Sequence, residues 1–156
     1  MAQPKITEWL DGNGARYRVV TFDKPVYTVP ESATQSGLPV EQIIKSMLLV
    51  DDAGAFILAC LPGTKKVDSA KVKTVAHLKG HPHFASPEQI EQLLGLQVGA
   101  VTALYAVGKV PIVFDQSIQA MAECSLSAGE HLYEIIIATE DLIRLVKPRF
   151  ADVVRN

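Results

Sequence analysis

Two almost unbroken apolar runs lie on either side of a four-residue turn. Ile43-Ile44-Lys45-Ser46-Met47-Leu48-Leu49-Val50 precedes Asp51-Asp52-Ala53-Gly54, and Ala55-Phe56-Ile57-Leu58-Ala59-Cys60-Leu61 follows it. Short apolar runs bounded by turn residues read as strands, so this segment predicts a hairpin whose first strand is mostly buried. A buried hairpin needs covering layers. At 156 residues, 48% hydrophobic and 21% charged, the chain has the size of one domain and the composition of a soluble globular one, so a sizeable core can form. The expectation is a single domain over residues 1–156.

The rest of the chain supplies short elements. Ile6, Trp9 and Leu10 share a helical face that stops at Asp11-Gly12-Asn13-Gly14, and Tyr17 to Phe22 reads as a strand. Thr28 caps a helix opened by Val29-Pro30-Glu31 and stopped at Gly37. Asp68 to Leu78 has helical composition, and Ser86-Pro87-Glu88 through Gly95 carries a Ser cap, a first-position Pro and a terminal Gly. Strands follow near Pro111 to Phe114, Glu123 to Ser127 and His131 to Ala138, and Thr139 to Val146 forms a last helix before a polar tail begins at Lys147-Pro148. Without the regular alternation and long crossover helices of a doubly wound sheet, this order predicts an α+β fold. Its sheet is curved or barrel-like, mixed and largely antiparallel, with short helices packed outside.

Fifteen Lys plus Arg against seventeen Asp plus Glu give a net charge of -2, which excludes a generally basic protein that coats nucleic acid through bulk charge. No apolar run reaches the eighteen or so residues that span a bilayer, and no signal-peptide core follows Met1-Ala2-Gln3-Pro4-Lys5, so the chain reads as cytosolic. Cys60 and Cys124 sit far apart in apolar runs and read as buried free thiols.

Lys45 is the first residue that invites chemistry. In an extended strand it shares a face with Ile43, Met47 and Leu49. A lysine there either snorkels to water at the strand end or points its charge into a polar cavity, where an anion or a developing oxyanion can use it. Gly99-Ala100-Val101-Thr102-Ala103 is a small-residue bend whose main-chain amides can hold a carbonyl oxygen or a phosphate; an ordinary structural turn would look the same. Between Gly63 and Phe84, Lys65, Lys66, Lys71, Lys73 and Lys79 stand against Asp68 alone, and five lysines against one aspartate leave a local charge of +4. His77, His81 and His83 add donors and stacking surface, so the segment can grip a phosphate backbone or serve as a solvated helix face. His81-Pro82-His83 lacks a third ligand at a fixed spacing, so neither a metal nor another cofactor is expected. His131, after Gly129-Glu130, reads as a cavity-rim hydrogen-bond partner or acid-base group, or as an edge histidine without a role. The absence of a nucleophile elbow, P-loop or dinucleotide fingerprint argues against a serine hydrolase, an NTPase or a nicotinamide enzyme.

Taken in order, several short stretches resemble the YbaK and prolyl-tRNA-synthetase-associated family of free-standing aminoacyl-tRNA editing domains. They are Ala33-Thr34 before Gly37-Leu38, Ile43-Ile44-Lys45-Ser46-Met47, Val67-Asp68, Phe84-Ala85-Ser86-Pro87-Glu88, Leu94-Gly95-Leu96, Gly99-Ala100-Val101-Thr102 and Val113-Phe114-Asp115. The resemblance implies hydrolysis, in trans, of the ester joining a wrong amino acid to the 3′ end of a tRNA. Lys45 matches the family's strand lysine, and Gly99 to Ala103 matches its Gly-x-x-x-Pro loop, with Ala103 standing where the family usually has proline. On this reading Lys45, Gly99 and His131 are the catalytic candidates, and Tyr27, Met47, Ala100, Val101, Thr102 and Ala103 line the substrate. Lys65, Lys66, Lys71 and Lys73 contact the tRNA. The partners implied are a mischarged acceptor end and an aminoacyl-tRNA synthetase. Two other readings compete: a non-catalytic tRNA- or synthetase-binding module of the same fold, and a DNA-binding protein, for which only the basic segment speaks.

Overall fold

The computed structural model describes residues 3–156. Five short helices, α1 (Ile6–Gly12), α2 (Val29–Ser36), α3 (Ser69–Ala76), α4 (Pro87–Leu94) and α5 (Thr139–Val146), surround eight strands. The strands are β1 (Tyr17–Thr21), β2 (Ile44–Val50), β3 (Phe56–Pro62), β4 (His83–Phe84), β5 (Ile112–Asp115), β6 (Glu123–Ser127), β7 (Tyr133–Ala138) and β8 (Arg149–Ala151). They form a three-stranded sheet ordered β1-β7-β6 and a five-stranded sheet ordered β4-β2-β3-β5-β8. The small sheet is antiparallel throughout; in the large one β3–β5 and β5–β8 run parallel. The α+β architecture with a curved, mostly antiparallel sheet is the one expected, and it does not close into a barrel.

The central hairpin explains its own composition. Along β2 and β3, Ile44, Leu48, Leu58 and Cys60 face one apolar core, while Leu49, Ile57, Ala59 and Leu61 face a second one beneath α3. A strand pair buried on both faces has no polar side to show, so alternation gives way to continuous apolar runs. The helices begin and end as their sequences dictate. Thr28 Oγ1 accepts from the Glu31 amide, Gly37 takes the left-handed conformation that stops α2, and Ser86 with Gln89 closes a reciprocal capping box on α4. Each such cap stabilises its helix by about 1 kcal/mol.

The segment after Lys147 differs from the polar tail expected. Arg149–Ala151 adds to β5 as a parallel edge strand, Phe150 packs edge-on against Phe114 at 6.0 Å, and Val153 is fully buried. Lys71 fastens this end: its Nζ donates to Asp152 Oδ2 at 2.8 Å and to the Val154 carbonyl at 2.7 Å. The apolar content of three residues is too small to announce a strand, and long-range pairing decides the matter.

One feature of the topology creates space. On one edge β2 pairs along its whole length with β3; on the other it meets β6 at Ile43↔Ser125 and β4 at Leu49↔Phe84 and Val50↔His83. Between those anchor points Ile44 to Met47 have no neighbouring strand among the described residues. The two sheets diverge there, and a cleft opens along the free edge of β2.

Candidate functional site

That cleft is a cavity of about 440 Å³. All five residues from Ile44 to Leu48 line it, which alternating side chains can do only if the cavity opens along the strand edge. Lys45, half-buried, is one of these lining residues, beside Met47. Its ammonium is held below the ordinary lysine value, first by burial and then by the like charge of Lys66.

The Gly99 bend lines the same cavity. Gly99 has φ +86°, and a Cβ placed there would come within 3.0 Å of the Tyr27 carbonyl oxygen and 3.4 Å of His131 Nε2. Glycine is required twice over, by conformation and by close approach. The His131 ring ties the bend in place: Nε2 lies 2.9 Å from the Val98 carbonyl oxygen and, because a carbonyl only accepts, donates to it. Tyr27 packs on the same ring at 4.4 Å between centroids, and the Val26 amide donates to the His131 carbonyl at 2.7 Å. With Nε2 engaged on the loop, His131 sits as a brace for the bend.

Within the bend the five positions diverge. Gly99 and Val101 line the cavity, and neither amide has an acceptor among the described residues. The Ala100 amide donates to the Gln97 carbonyl at 3.0 Å, which removes it from the set of free donors. Ala100, Thr102 and Ala103 are fully buried outside the cavity lining. Thr102 Oγ1 accepts from the Leu104 amide at 3.3 Å and caps a 3-10 turn over Ala103–Tyr105, so Ala103 occupies the first position of a helical turn, where proline is readily accommodated.

The inner end of the cavity holds a carboxylate that the sequence reading passed over. Glu134 on β7 is buried, lines the cavity, and accepts from Ser32 Oγ of α2 at 3.2 Å. Burial pushes its carboxyl up to about 7, with the nearby Ser125 and Ser32 hydroxyls pulling the other way. Among the described residues only Ser32 is within hydrogen-bonding distance of it, and the buried Ser125 Oγ has no partner there. The signal was present: Glu134 interrupts an apolar strand as Lys45 does, and a charge in such a run needs a reason.

The basic segment divides as well. Lys66 lies close enough to Lys45 to depress it, Lys65 and Lys73 are exposed, and Lys71 is engaged on Asp152 and Val154. Among the described residues no cluster of three His, Cys, Asp or Glu side chains could hold a metal ion, and no helix is long and apolar enough to cross a membrane.

Residues 23–145 match the family model of the aminoacyl-tRNA editing domain. The chain belongs to that family. Curated relatives of this editing-domain chain include the proline–tRNA ligases of Bacillus licheniformis, 31% identical over 108 residues, and of Delftia acidovorans, 30% identical over 117 residues. Each alignment covers 69% of this chain but 18% and 20% of the ligases, so the chain spans about a fifth of the length of the curated relatives it matches. Among solved structures, a hypothetical protein superposes with a TM-score of 0.87 at 23% identity, covering 97% of this chain and 99% of the other. A candidate trans-editing enzyme for prolyl tRNA synthetase superposes with a TM-score of 0.83 at 23% identity over the full length of both chains. Those two likenesses speak for the fold of the editing domain.

Proposed function

We propose that this editing domain is a single functional unit that hydrolyses, in trans, the ester linking a wrong amino acid to the 3′ end of a tRNA. The observation that carries the reading is the shared cavity: Lys45 on the free edge of β2 and the Gly99 bend, with its unengaged amides, line the same cleft. An aminoacyl ester is already activated, so hydrolysis needs a placed water and stabilisation of the negative charge that forms on the carbonyl oxygen. The Gly99 and Val101 amides supply that stabilisation, and the Lys45 ammonium polarises the ester or holds the acceptor end. Water adds to the carbonyl carbon, the bond from that carbon to the ribose oxygen breaks, and a proton from the water passes to the ribose oxygen. The products are the free amino acid and the intact tRNA.

His131 and Tyr27 act as positioning residues for the bend, Met47 and Val101 shape the acyl pocket, and Lys65, Lys66 and Lys73 meet the RNA backbone. The Ser32–Glu134 pair gives the inner end a polar terminus. A panel of mischarged tRNAs tests the proposal: amino acid is released from at least one member by the wild-type protein and not by Lys45→Ala. Tight binding of tRNA with no release from any member would favour the non-catalytic module.

A further inference from the structure

The mouth of the cavity carries an aromatic side chain that neither the fold nor the hydrolytic reading uses. Phe84 lines the cavity yet is 57% exposed, and its ring has no aromatic partner among the described residues. Tyr27, 56% exposed on the same rim, already packs one face against His131. An exposed phenylalanine on an edge strand gives up most of the stabilisation its burial would bring.

Phe84 is nevertheless held firmly. It pairs with Leu49 in β2, and the next residue, Ala85, donates its amide to the Leu48 carbonyl at 2.9 Å. The preceding loop is pinned by Asp51 and Asp52, whose carboxylates accept from the Lys79 amide at 2.8 Å and the His81 amide at 3.0 Å. Gly80 packs so closely on the Asp52 side chain that a Cβ would collide with it. The backbone that carries the ring is therefore fixed at this place on the cavity lining, with exposed Lys79 on the preceding loop and Lys66 beside Lys45.

We propose that Phe84 is the stacking platform for the unpaired terminal base of the RNA that enters this site. The proposal rests on the deacylase reading for its orientation: with the ester between Lys45 and the Gly99 bend, the acyl group occupies the enclosed end near Glu134, and the terminal nucleoside emerges at the mouth. A base has an apolar π-face that matches Phe84, and the lysines Lys79 on the preceding loop and Lys66 beside Lys45 complement the phosphates that follow. Stacking on an aromatic side chain is tolerant of base identity, which suits a single-stranded end.

The test uses the full chain and an uncharged trinucleotide, cytidyl-cytidyl-2-aminopurine riboside, whose fluorescence is quenched when its terminal base stacks. Wild-type protein quenches the probe; Phe84→Ala abolishes quenching and weakens binding about 5- to 100-fold; Phe84→Trp restores both. Circular dichroism and the thermal midpoint of each variant establish that it is folded. Full quenching by folded Phe84→Ala, or binding without quenching by the wild type, overturns the proposal. The two readings fail separately. Deacylation with unchanged kcat/KM in Phe84→Ala leaves the hydrolase reading and removes the platform, whereas Phe84-dependent quenching with no deacylation keeps the platform and removes the hydrolase. Loss of a bound synthetase fragment in Phe84→Ala, with quenching intact, would assign the ring to a protein partner and also overturn the proposal.

Discussion

Replacing Glu134 by glutamine tests the physical description of the cavity's inner end. An ordinary glutamate loses its proton near 4.5, whereas burial holds the folded Glu134 carboxyl up to about 7. Between those values the folded chain keeps a proton that the unfolded chain has released, so stability falls as pH rises through this window and stays lower above it. A displacement from 4.5 to about 7 corresponds to roughly 3 kcal/mol. Glutamine preserves the shape and the acceptor for Ser32 Oγ but carries no charge to desolvate. Urea unfolding of both proteins at pH 5, 6, 7 and 8 gives the comparison as a difference, in which every other titrating group cancels. The wild type should lose up to about 3 kcal/mol relative to Glu134→Gln between pH 5 and pH 8, with equal m values. Parallel stability profiles for the two proteins would refute the claim that a desolvated carboxylate ends this pocket.

Three further outcomes follow from the site. Gly99→Ala forces a side chain into a positive-φ position 3.0 Å from the Tyr27 carbonyl, and should lower stability by about 1–2 kcal/mol and deacylation by about 100-fold, measured by unfolding and by amino acid release. Ala103→Pro places proline at the first position of a 3-10 turn and should keep activity while changing stability by at most about 1 kcal/mol in the favourable direction; a large loss would show that the Ala103 amide is needed. Asp141, held at about 2 chiefly by its hydrogen bond to Arg16, contributes stability that is present above 3.8 and lost as pH falls towards 2, so Asp141→Asn should flatten the acid limb of a thermal-melt series.

Local chemistry made much of this fold legible. The caps at Thr28 and Ser86, the Gly37 and Gly95 stops, the turn at Asp51–Gly54 and the helix Thr139–Val146 are written in residues that act within a few positions of themselves. What was not legible depends on distant partners. β4 and β8 are two and three residues long and exist because β2 and β5 offer edges to pair with. The site followed the same division. Lys45 announced itself as a charge in an apolar run and Gly99 as a bend, but nothing near Lys71 tells that its amine is held by Asp152. His131 was readable as a rim residue, whereas its use as a brace depends on a carbonyl 33 positions away. Glu134 is different: its charge beside a run of isoleucines is visible in the sequence, and the reasoning applied to Lys45 holds for it equally.

The central claim is that Lys45 and the Gly99 bend act on one ester in one cleft. A double-mutant cycle on kcat/KM for a mischarged tRNA tests it, using Lys45→Ala, Gly99→Ala and the pair. Groups that work on the same reacting carbonyl lose most of their effect together, so the double variant should be little worse than the worse single one. Losses that multiply, or a Lys45→Ala variant as active as the wild type, would contradict the account.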